Sequence, residues 1–116
     1  MSKADKPQIG SEQLAKAWAR TLPTVLNASD RADVRPDEAD EHALRVHIRT
    51  AGHSDYSFDF KCTYADSREV KVELVDVERE GQSVDERTAT IQTLVDDYVR
   101  HIHECAQQLH AVTSGS

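Results

Sequence analysis

The sequence predicts an α+β domain, an antiparallel sheet with two helices packed on one of its faces. Apolar and polar residues alternate with period two through three segments between residues 42 and 79. An apolar stripe at helical spacing precedes them, from Leu14 to Leu26. A second stripe follows, from Ile91 to Val112. The predicted order is α-β-β-β-α. The meander is three-stranded, and becomes four-stranded if residues 32–35 add a strand.

Residues 1–10 read as a tail ending at Gly10, and the domain as residues 11–112. Ser11 is placed to cap the first helix. Leu14, Ala15, Trp18, Leu22, Val25 and Leu26 form its apolar face. Pro23 removes one helical hydrogen bond, so the helix either stops near Thr21 or kinks and resumes for one turn. The polar run 28–41 is a connector, with a short strand around Ala32–Arg35 and Pro36-Asp37-Glu38 as the turn after it.

In His42–Thr50, Leu44, Val46 and Ile48 share a face opposite Arg45, His47 and Arg49. In Asp55–Tyr64, Tyr56, Phe58, Phe60, Cys62 and Tyr64 share a face opposite Ser57, Asp59, Lys61 and Thr63. In Glu69–Arg79, Val70, Val72 and Leu74 share a face opposite Lys71 and Glu73. After Leu74 the apolar residues move to Val75 and Val77. Either a bulge shifts the facing by one residue, or the end of the strand is buried on both sides. The links 51–54 and 65–68 are short enough for hairpins, so the sheet is antiparallel. Ser83-Val84-Asp85-Glu86 matches a capping box and predicts the start of the last helix. That helix should run to about His110, with 113–116 as a tail.

At 116 residues the chain can bury one core without disulfides or metals. Its net charge of −7 disfavours nucleic acid and anionic membranes as partners. No apolar run is long enough to span a bilayer, and the lysines near Met1 precede no apolar segment, so the expected location is the cytoplasm. Two cysteines cannot build a disulfide framework, and Cys62 and Cys105 are both expected in the core as thiols.

The order α-β-β-β-α is also that of the double-stranded-RNA-binding domain, and Gly52-His53 falls in the loop where that family carries a Gly/His-containing turn. The second helix of that family begins with basic residues that face duplex phosphates. Here the corresponding stretch reads Asp85-Glu86-Arg87, which reverses the sign of the electrostatic term. The resemblance is therefore one of topology without the RNA-binding helix start.

The outer sheet face places Arg45, His47, Arg49, Lys61 and Lys71 on neighbouring strands, a basic patch for an anionic partner. Asp59 and Glu73 lie among them and can pair with them across strands. Arg45 and Arg49 flank His47, and positive charge there disfavours its protonation. If no bulge occurs, Val75 and Val77 join that face beside Glu73 and can nucleate a homodimer at a free sheet edge.

The last helix carries Asp96, Asp97, His101, His103, Cys105 and His110. Asp96, His103 and His110 stand ~10.5 Å apart in succession along the axis, so they cannot share an ion. His101 and Cys105, with Cys62, would have to leave the core to hold one. No metal or other cofactor is predicted. Glu104 beside Cys105 raises a thiol pKa, which disfavours cysteine catalysis.

Phe58-Asp59-Phe60-Lys61-Cys62-Thr63-Tyr64 and Val72-Glu73-Leu74-Val75-Asp76-Val77-Glu78-Arg79 give residues 42–110 a resemblance to uncharacterised small proteins of β-proteobacteria. It implies a bacterial source and no activity.

Two function classes follow. One is a non-catalytic protein-interaction module that uses the outer face or the edge near Val75 and Val77. The other is a ligand-binding or enzymatic domain with a pocket between helices and sheet, lined by Tyr98, His101 and Cys105. The first is preferred, because no nucleophile, base and orienting group converge.

Overall fold

A computed structural model describes residues 10–26, 30–50, 56–66, 69–79, 82–84 and 88–110. The predicted tails and the 51–54 link lie outside these residues, apart from Gly10. The elements are α1 (Ser11–Val25), β1 (Arg31–Pro36), β2 (Ala43–Arg49), β3 (Tyr56–Tyr64), β4 (Val70–Arg79), β5 (Gln82–Ser83) and α2 (Ala89–Gln108). The strands form one antiparallel sheet in the order β1-β2-β3-β4-β5. The predicted α+β meander is present, and the segment around 32–35 is its fourth full strand.

The core lies between the helices and one sheet face. Leu44, Val46 and Ile48 of β2 are buried there with Phe58, Phe60, Cys62 and Tyr64 of β3. From the helices, Leu14, Trp18 and Leu22 of α1 meet Ile91, Tyr98, Ile102 and Cys105 of α2. α1 packs on β1 and on α2, and α2 packs on β4. The opposite face of the sheet carries no described helix.

Three local features correct an expectation or decide between its alternatives. The cap of α1 is Gly10, with Ser11 as the first helical residue, and the helix passes through Pro23 to Val25. α2 does not begin at the Ser83-Glu86 motif. Ser83 belongs to β5, and the Val84 N–H donates to the Val77 carbonyl at 3.1 Å, which keeps this segment on the sheet. Thr88 caps the helix instead, its hydroxyl accepting from the Ile91 N–H at 3.4 Å.

The third feature is a bulge in β4. The register runs Asp59↔Asp76 and then Phe60↔Leu74, so Val75 is the extra residue. The insertion restores the inward facing of Val77, which is 0% exposed, and leaves Val75 45% exposed. The expected outer pair of Val75 and Val77 is thereby split. Val77 is a core residue and not part of an interaction face, because the bulge shifts its side chain to the helix side of the sheet.

Candidate functional site

The strand register assembles the outer face into rows that no single strand reveals. Asp33, His47, Asp59 and Asp76 lie opposite one another on β1, β2, β3 and β4. On one side runs the row Arg35, Arg45, Lys61 and Glu73. On the other runs Arg31, Arg49, Ser57 and Glu78. A shallow cavity of about 320 Å³ opens on this face, lined by Asp33, Arg35, Arg45, His47, Asp59 and Asp76 together with Val34 and Val75.

Inside the row, His47 Nδ1 lies 2.7 Å from Asp59 Oδ1. Both side chains are partly exposed, so water screens the pair. The nearest charge on this imidazole is therefore a carboxylate, and the flanking arginines expected from sequence do not set its environment alone. Arg45, on the same cavity, pairs with a different carboxylate. Its Nε–H donates to Asp37 Oδ2 at 2.7 Å.

Asp37 organises the turn between β1 and β2. Its other oxygen accepts from the N–H groups of Ala39 at 2.8 Å and Asp40 at 3.0 Å. The Arg45 guanidinium, together with these two donors, holds the Asp37 carboxyl down to about 2. The sequence marks Pro36-Asp37-Glu38 as a turn, but the partner eight residues away is visible only once β1 and β2 pair.

Lys61 and Lys71 keep the outward facing read from the sequence, and Arg49 ends β2 on the same face. The basic patch is thus a set of stripes alternating with carboxylates.

The three side chains of the predicted pocket, Tyr98, His101 and Cys105, differ in their placement. Tyr98 and Cys105 are buried in the core, packed against the sheet. The Tyr98 ring lies 5.2 Å, centroid to centroid, from Phe58. His101 lies at the flank of α2, its Nδ1 2.7 Å from Glu104 Oε1. The helical phase explains the separation, since Tyr98, Ile102 and Cys105 form the inward stripe and His101 sits beside it.

Burial pushes the Tyr98 phenol up, and the Asp30 carboxylate near its hydroxyl adds to the shift. Both cysteines are free thiols. Burial pushes each up to about 12, and for Cys62 the proximity of Cys105 adds to it. Glu104 is not the cause, since it faces His101. A neutral buried thiol is a filling group, not a nucleophile. Among the described residues, no three His, Cys, Asp or Glu side chains are grouped so as to hold a metal ion. Among them also, no helix is long and apolar enough to cross a membrane.

Compared with protein-family models, with curated proteins and with solved structures, the chain matches none.

Proposed function

We propose that this chain is a non-catalytic protein-interaction domain that docks a partner on the outer face of its sheet. One observation carries the reading. Both described helices cover the same sheet face, and the other presents in-register charged rows across β1 to β4 around a shallow cavity.

The chemistry of the rows supports a protein partner. Arg35 and Lys61 favour carboxylates, while the row that holds Asp33, Asp59 and Asp76 favours cations. A folded protein surface with adjacent acidic and basic stripes meets both demands. A phosphate backbone would meet the first and be repelled by the second. Val75 supplies an apolar contact at the edge of the same cavity.

A photo-crosslinking amino acid at Lys61, compared with one at exposed Gln107 on α2, tests this in the source cell. Cross-linked protein is expected from position 61, reduced by the reversal Arg35→Glu. Equal yields from both positions, or no response to the reversal, contradict the reading.

A second reading is supported by one observation. The His47–Asp59 pair sits within the cavity, as it would in a site for a small polar ligand. This reading moves the ligand site from the helix–sheet interior, which Tyr98 and Cys105 fill, to the outer face.

A further inference from the structure

We infer that β4 is a self-pairing edge, through which two copies of this chain join across a two-fold axis centred on Val72. The inference does not rest on the docking surface proposed above, because it uses the rim of the sheet at β4 and leaves the rows across β1 to β3 open.

The outward backbone groups of β4 follow from the hydrogen-bond alternation. The Ala65 N–H donates to the Glu69 carbonyl at 2.9 Å, so the odd residues 69, 71 and 73 turn their backbone groups toward β3. Val70, Val72 and Leu74 therefore turn theirs outward. Among the described residues, β5 pairs with Glu78 and Arg79, and past the bulge Val84 bonds Val77. Among the described residues, no strand lies against Val70–Leu74.

The sequence of that edge is palindromic in chemistry: Val70-Lys71-Val72-Glu73-Leu74. An antiparallel pairing centred on Val72 sets Val72 against its own copy. It sets Val70 against Leu74 and Lys71 against Glu73, each pairing occurring twice by symmetry. Every outward N–H in the segment then meets an outward carbonyl. On the outer face, Lys71 and Glu73 are exposed, and the pairing forms two cross-strand ion pairs. On the inner face, Val72 and Leu74 are half-buried apolar residues at the margin of the core, and the partner copy completes their cover. The bulge at Val75 twists the strand and ends the paired stretch after Leu74.

The opposite edge fits this role poorly. On β1 the Asp37 N–H donates to Ala43, so Ala32, Val34 and Pro36 are the outward positions, and Pro36 has no N–H to give.

Sedimentation equilibrium across a concentration series tests the pairing on the full chain. The wild type is expected to dimerise. Lys71→Glu and Glu73→Lys each place like charges opposite one another, and each should weaken the dimer by at least ~tenfold. The double variant Lys71→Glu/Glu73→Lys recreates both ion pairs with reversed polarity and should restore association. Val72→Pro removes an outward N–H without touching the β3 ladder and should give a folded monomer, with Trp18 fluorescence confirming the fold. A wild type that stays monomeric, a dimer indifferent to the single reversals or to Val72→Pro, or a double variant that fails to recover each overturns the inference. The monomer would mean that the edge is capped by another chain or kept unpaired.

Discussion

The Trp18 Nε1–H donates to the Tyr64 hydroxyl at 3.0 Å, joining α1 to β3 inside the core. The rings meet edge-on, 79° apart, with centroids separated by 6.3 Å. Trp18 is fully buried, so its N–H has no access to water if this acceptor is lost. Burial pushes the Tyr64 phenol up to about 12, while the Trp18 bond opposes the shift. Tyr64→Phe is expected to cost about 1–3 kcal/mol of stability, the penalty of an unpaired buried donor. Urea unfolding followed by Trp18 emission measures it, and a neutral substitution would show that the bond is absent.

The bulge makes opposite predictions for two valines that are two residues apart. Val75→Thr should change stability by less than ~0.5 kcal/mol, because the side chain is exposed. Val77→Thr should cost about 1–3 kcal/mol, because its hydroxyl enters an apolar core. Reversed sensitivities would place the register shift elsewhere.

Asp37 gives the fold an acid dependence of known sign. Its folded pKa of about 2 lies below the ordinary value of 3.8. Between those values the unfolded chain binds more protons, so stability is present above pH 3.8 and falls as pH drops toward 2. Asp37→Asn should lower the melting temperature at neutral pH and flatten its decline in that acid window. An unchanged acid limb would mean that the Asp37–Arg45 pair contributes nothing.

The thiols should be inert in the folded protein. With both held up to about 12 by burial, Cys62 and Cys105 are neutral at pH 8. Ellman's reagent should register almost no thiol until denaturant is added, then both. Rapid reaction of either cysteine in the native state would contradict the packing.

Much of this fold is legible in the sequence because its signals are periodic. The period-two runs of β2 and β3 and the stripe of α2 each repeat enough times to fix both element and face. The break after Leu74 marks the bulge, but only the pairing of Asp59 with Asp76 shows which residue is extra. The Ser83-Glu86 motif misplaces the start of α2, since a local cap signal competes with a sheet bond from Val84 to Val77. The site is harder to read. Arg45, Lys61 and Lys71 are recognisable as outward, but their banding with Asp33, Asp59 and Asp76 depends on the register between strands. The Tyr98–His101–Cys105 grouping spans a core stripe and its flank, which sequence spacing alone does not separate.

Both described helices roof one face of the sheet, and the charged rows lie on its other face. Paramagnetic relaxation by a neutral, soluble gadolinium chelate reads this residue by residue in an NMR spectrum. Strong attenuation is predicted for the side chains of Arg35, Lys61 and Val75, with Phe58, Phe60 and Val77 protected. Protection of Arg35 and Lys61, or attenuation of Phe58 and Phe60, would contradict the account.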